Sequence, residues 1–249
     1  MTQIRPIAFY LPQYHPIPEN DIWWGKGFTE WTNVVRAKPL FKGHYQPHLP
    51  ADLGFYDLRL PEIREAQAKM AAENGIYGFC YYHYWFNGKR LLNMPIDDII
   101  RSGEPDFPFM LCWANENWTR AWDGQDKDIL IEQKYSYIDD REHIEFLCKN
   151  IFPDRRYIKV YGKPVFAIYK AQSIPDIKLT IEIWREIAVK YGFKGLYLIK
   201  VMTGKDRSNP VKSGFDAAVE FQPDWNNLPL RIKPSLVSKL LYKINIKKS

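Results

Sequence analysis

The chain has no apolar stretch of the roughly 18–20 residues that a membrane-spanning helix needs. Its opening, M-T-Q-I-R-P-I-A-F-Y, lacks the basic and then apolar segments of a secretory signal. Cysteine is scarce: Cys80, Cys112 and Cys148 are odd in number and far apart, and the first two sit in apolar runs. They read as buried free thiols, which excludes a disulfide framework and fits a reducing, cytoplasmic setting. No G-x-G-x-x-G follows the first strand candidate, and there is no P-loop and no G-x-S-x-G, so dinucleotide, phosphate-loop and serine-hydrolase chemistries find no support. The histidines lack metal-ligand spacing. His44 and His48 are four apart, but Pro47 between them opposes a helix. Asp126-Lys127-Asp128 matches the D-x-D of metal-dependent sugar transferases, a pattern short enough to arise by chance. No metal and no cofactor is expected.

Excess charge is also missing from most of the chain. The net charge is +6, yet residues 228–249 hold six bases and no acid, so residues 1–227 are formally neutral. A neutral body argues against a large nucleic-acid surface, which needs a basic stripe. The tail is a separate feature. Ser235–Ile246 places Leu236, Val237, Leu240, Leu241 and Ile244 on one helical face beside Lys239, Lys243 and Lys247. Such a basic amphipathic helix suits peripheral contact with the inner face of an anionic membrane, or packing back over a sheet edge. The domain organisation is therefore a body of 1–227 and a tail of 228–249.

Aromatic residues are abundant, 16% of the chain, including nine Trp and sixteen Tyr. Short apolar runs alternate with helical stretches. Strands are expected at Ile4–Leu11, Ile76–Tyr82, Phe107–Trp113, Pro164–Tyr169, Leu196–Val201 and Ala217–Phe221. Helices are expected at Leu60–Asn74, Ile96–Arg101, Arg141–Asn150 and Thr180–Tyr191, and a long loop at about Pro12–Tyr56. A β-α-β-α series means parallel strands covered by helices. The fold class is α/β, a TIM-like (β/α) barrel with about six of eight units, hence incomplete; a doubly wound sheet is the alternative.

In such folds the site forms in the loops after the strands. Those loops supply Gln13 and His15, then His83 and Trp85, then Asn115, Glu116 and Asn117, then Lys170, and last Glu220. Amides and carboxylates suit hydroxyl groups, and rings suit the C–H faces of sugars. The richest segment is W-A-N-E-N-W-T-R-A-W-D-G, Trp113–Gly124. Flanking indoles around Glu116 would raise its carboxyl toward the range of a general acid. Glycoside hydrolysis uses two carboxylates across a pocket, and the strand ends suggest Glu116 with Glu220. Substrate contacts are expected from Tyr10, Gln13, His15, Trp24, Glu30, Trp31, His83, Trp85, Trp113, Asn115, Asn117, Trp118, Arg120, Trp122 and Asp123, with Glu116, His83 and Trp85 close together.

Phe9–Val34, Pro39–Arg59, Gly75–Phe86 and Leu111–Gly124 resemble, over long near-continuous stretches, the WbsX-like proteins of bacterial polysaccharide gene clusters. Tyr157–Tyr169 and Asp216–Pro223 fit as well, so the resemblance covers about residues 4–225. It implies a β/α barrel related to glycoside hydrolase family 99, the endo-acting α-mannosidases. It also implies a place in O-antigen, lipopolysaccharide or capsule metabolism, where such proteins are described as glycosyltransferases. Relatives continue past the E-F-Q-P strand to an N-E-W-x-E-G-type segment that carries the hydrolases' catalytic pair. This chain has no N-E-W, and its Glu30-Trp31 belongs to a different motif. The C-terminal part of the domain is therefore expected to be missing, and no residue here inherits that role. The expectation is a glycan-acting enzyme, hydrolase or transferase; the alternatives are an inactive glycan-binding relative or a membrane-peripheral scaffold.

Overall fold

The run G-F-C-Y-Y-H-Y-W-F is rich in aromatics, favours extended backbone, and is buried at nearly every position, as a strand covered on both faces should be. The computed structural model describes residues 4–120, 125–203 and 206–222. In chain order its elements are β1 (Ile7–Tyr10), α1 (Pro18–Trp24), α2 (Glu30–Arg36), α3 (Pro61–Glu73), β2 (Gly78–Phe86), β3 (Lys89–Leu91), α4 (Met94–Ser102) and β4 (Phe109–Trp113). There follow β5 (Trp118–Arg120), β6 (Gln125–Ile131), α5 (Tyr137–Asn150), β7 (Lys159–Val160), β8 (Lys163–Ile168), α6 (Ile177–Lys190), β9 (Tyr197–Met202) and β10 (Ala217–Glu220).

The main sheet runs β1-β2-β4-β8-β9-β10 with every neighbouring pair parallel. This sequential order is that of a barrel; a doubly wound sheet would reverse direction at a switch point. Phe9 on β1 and Phe221 just after β10 meet edge to face at 5.6 Å, although their strands stand at opposite ends of the order. The sheet is therefore curled into an incomplete barrel. Among the described residues β1 and β10 are its open edges.

Alternation along the strands separates two faces. Phe9, Tyr82, Tyr169 and Phe221 form a ring cluster on the concave side. The convex side carries the core, where Trp113, Phe166 and Trp184 of α6 are fully buried together with Ile144 and Leu147 of α5. Each such aliphatic or phenyl side chain contributes about 1.5–3 kcal/mol on burial. Two helices start on side-chain caps: Ser136 Oγ accepts from the Asp139 N–H, and Asp176 Oδ1 accepts from the Leu179 N–H.

The long first loop is not wholly irregular, since α1 and α2 lie within it. Each has seven residues, too few for a 3.6-residue periodicity to show. The β5–β6 hairpin, antiparallel and separate from the main sheet, was likewise not expected. The three cysteines are buried and unbridged. The tail 228–249, with its helix at 235–246, lies outside the described residues, and so do Trp122 and Asp123. No helix among the described residues is long and apolar enough to cross a membrane.

Candidate functional site

Asn115 fixes the end of β4 to the end of β8. Its Nδ2 donates to the Lys170 carbonyl at 2.9 Å and to Tyr135 Oη at 3.1 Å, while its Oδ1 accepts from the Lys170 N–H at 2.8 Å. Tyr135 Oη donates in turn to the Asn115 carbonyl at 2.9 Å. Asn115 is almost fully buried, so this amide braces two loops and does not meet solvent. The brace brings Glu116 beside Lys170, with Nζ to Oε1 at 2.5 Å and both side chains about 40% exposed. They line an open cavity of about 430 Å³ with Asn117, Thr119, Gln133 and Tyr135. In that wall Gln133 Oε1 is buried without a hydrogen-bond partner.

Asn117 stands at the foot of the hairpin, where its Oδ1 accepts from the Gln133 N–H at 2.7 Å. On the other side lies a second cavity of about 240 Å³, lined by Gln13, Asn20, Trp24, Glu30, Trp118 and Leu130 among others. Asn117 and Thr119 line both cavities, so the two are lobes of one cleft divided by the hairpin. Gln13 Nε2 donates to Tyr84 Oη at 2.8 Å. Arg120 lies 5.2 Å over the Trp24 ring, and its Nε pairs with Asp128 at 3.0 Å. Burial pushes the Glu30 carboxyl up to about 7, because desolvation disfavours its charge.

The apolar enclosure expected around Glu116 is absent. Glu116 is half-exposed and paired with a lysine, and the neighbouring indoles point elsewhere. Trp113 packs on Trp184 and His143 behind the sheet; Trp118 packs on Trp23, Tyr84 and Phe86. The carboxyl with raised proton affinity in this cleft is Glu30.

Several other expected contacts also stand away from the cleft. His83 and Trp85 are buried against α5: His83 Nε2 lies 3.0 Å from His143 Nε2, and Trp85 Nε1 donates to Asp139 at 2.7 Å. They sit on the convex face, so they do not gather with Glu116. Tyr10 donates to Gln67 of α3 at 2.5 Å, and Trp31 Nε1 to the Tyr56 carbonyl at 2.8 Å. His15 is enclosed with neither ring nitrogen hydrogen-bonded, and burial lowers it to about 4. Glu220 is exposed on β10. Alternation sets it on the face opposite Val219 and Phe221, so it does not oppose Glu116 across the cleft. The polar or aromatic cleft residues that sequence reasoning missed include Asn20, Thr119, Gln133 and Tyr135. Asn20 belongs to an unanticipated short helix, and the other three to the unanticipated hairpin and its exit.

A family model described as "Glycosyltransferase WbsX" matches residues 6–248. The chain is 48% identical over 223 residues to "Uncharacterized protein WxcX" of Xanthomonas campestris pv. campestris, in two strains. That alignment covers 90% of this chain and 32% of the relative, so the chain spans about a third of the curated relatives it matches. Among solved structures, a GH99 endo-alpha-mannosidase from Bacteroides thetaiotaomicron aligns with TM-score 0.51 and 17% identity, covering 86% of this chain and 60% of that one. A "glycoside hydrolase-like protein" aligns with TM-score 0.53 and 15% identity, covering 86% and 57%. At these identities the likeness is one of fold.

Proposed function

The chain belongs to the WbsX glycosyltransferase family, and on that premise we propose that it binds a glycan in the two-lobed strand-end cleft and acts on it as a glycosyltransferase or glycoside hydrolase. Surface polysaccharide is the proposed setting, on the cytoplasmic side. The observation that carries this reading is the composition of the cleft. Amides (Gln13, Asn20, Asn117, Gln133), two carboxyls (Glu30, Glu116) and two indoles (Trp24, Trp118) line lobes that share a wall. Sugars need this mixture: paired donors and acceptors for hydroxyls, and apolar rings for the C–H faces.

Glu116 and Lys170 together offer an acceptor and a donor to a hydroxyl or ring substituent, while Glu30 offers a carboxyl that burial keeps partly protonated near neutral pH. A second reading, binding without turnover, is favoured by Glu220, which does not supply the opposing carboxylate. Glycan-array binding followed by product analysis on each hit separates the two readings. Glu116→Gln should abolish turnover, or weaken binding at least about tenfold if there is none to measure. Its stability should stay within about 1 kcal/mol of wild type, because the ion pair is half-exposed. Turnover or affinity unchanged in Glu116→Gln contradicts a role for this residue in the cleft.

A further inference from the structure

The two lobes differ in charge. Lys170 stands in the larger one, whereas no lysine or arginine among the described residues lines the smaller. Among the described residues the smaller lobe holds a single carboxyl, Glu30. Asn20, also in its wall, is 9% exposed. Among the described residues no side-chain hydrogen bond is recorded for either Asn20 or Glu30. Their polar atoms open on the lobe, and polar groups that converge on a cavity without protein partners are free to meet a ligand. At about 240 Å³ the lobe is smaller than the pockets that take drug-sized molecules, and it suits one sugar ring better than a chain of them.

We infer that this lobe is a subsite for one uncharged pyranose, whose hydroxyls meet Glu30, Asn20, Gln13 and Asn117 beside the indoles of Trp24 and Trp118, and that it rejects uronic acids and phosphorylated sugars. The inference rests on the glycan reading above and adds the class of sugar that enters this lobe. Amides and a protonated carboxyl each donate and accept, which matches a hydroxyl. Burial holds Glu30 protonated up to about pH 7. The groups facing it are Tyr14 from the loop after β1 and Tyr84 from β2, phenols that burial and the Glu30 charge push further from ionising. Arg120, from β5, is turned over Trp24 and paired with Asp128. An anionic sugar would therefore bring its charge into a wall with no cation among the described residues, a desolvation cost that above about pH 7 is joined by repulsion from the Glu30 carboxylate.

The test uses the full chain with methyl α-mannopyranoside, methyl α-glucopyranoside and methyl glucuronide, titrated by NMR at two pH values. A neutral glycoside should bind, with affinity falling about tenfold from about pH 6 to about pH 8 as Glu30 ionises. The glucuronide should bind at least about tenfold more weakly at both. Glu30→Gln, nearly isosteric, should keep the acid-side affinity at both pH values. Asn20→Ala should weaken binding at both, and Glu30→Gln alone decides if that variant does not fold. Glucuronide binding as tight as the neutral sugars overturns the inference. So does a wild-type affinity that ignores both pH and Glu30→Gln. Array glycans that bind through Glu116 while no methyl glycoside binds overturn the subsite and leave the glycan reading standing; no sugar binding in either assay removes both.

Discussion

His83 and His143 face each other inside the layer between β2 and α5, and α6 closes that layer through Trp184. With Nε2 atoms 3.0 Å apart, one ring must donate and the other accept, so at least one is neutral, and full burial disfavours charge on either. Burial lowers His83 to about 3 and His143 well below its ordinary value, and each is also lowered by Arg90. The Trp85 ring stacks on His143 at 4.7 Å, and its indole N–H is held by Asp139. A folded-state pKa below the unfolded value of about 6.5 means that only the unfolded chain takes up protons as pH falls below that value, so stability is lost toward acid. Glu30 and Asp140, raised by burial to about 7 and about 6, act in the opposite sense. Urea unfolding of wild type and His143→Phe from about pH 7.5 to about pH 4.5 isolates the histidine contribution. The stability gap between them should narrow as the pH falls; a constant gap contradicts a neutral, buried pair. The sequence could not tell His83 from a site residue. It stands in a strand buried on both faces, where alternation divides the side chains into two sets without saying which set faces the concave side.

Elements were more legible than side chains. All six parallel strands and the four longer helices lie within a few residues of their expected positions, because apolar runs and 3.6-residue spacing persist long enough to read. What escaped was short: α1, α2 and the β5–β6 hairpin, although Asp123-Gly124 stands between its two strands in the sequence, a dipeptide that favours hairpin turns. Those elements build both lobes of the cleft, so the site was read less completely than the scaffold. One residue sets how closely two elements approach. A side chain at Gly78, the first residue of β2, would place its Cβ 2.6 Å from the Pro108 carbonyl and 3.1 Å from the Ile158 side chain. The nearest atom is backbone of the segment that feeds β4 and cannot swing aside. Gly78→Ala should therefore destabilise the chain by about 1–3 kcal/mol, as overpacking does. Thermal or urea unfolding measures it, and a stability equal to wild type would mean that β2 and β4 approach less closely there.

At the scale of the whole molecule, the count of about six β/α units follows from alternating apolar runs, and the curled parallel sheet matches it. The WbsX motifs lie largely around the cleft: Gln13, Trp24 and Glu30 come from one of them, and Glu116, Asn117 and Trp118 from another. Distance along the chain hid their division into two lobes. Neither periodicity nor composition reveals that the hairpin separates a carboxyl paired with lysine from one whose proton affinity partial burial raises. The curl of the sheet, bridged at one point by the Phe9 and Phe221 rings, leaves Ile7, Phe9, Leu11 and Val219 partly exposed. The polar cleft lies at the strand ends, so the proposed sugar recognition is placed there and not on this apolar face. The most direct measurement of that assignment is ¹⁹F NMR of the 5-fluorotryptophan-labelled chain during titration with a glycan identified on the array. The Trp24 and Trp118 resonances should move with saturating glycan while those of the enclosed Trp85, Trp113 and Trp184 stay fixed; movement confined to the enclosed three, or none in Trp24 and Trp118 at saturation, contradicts binding in the cleft.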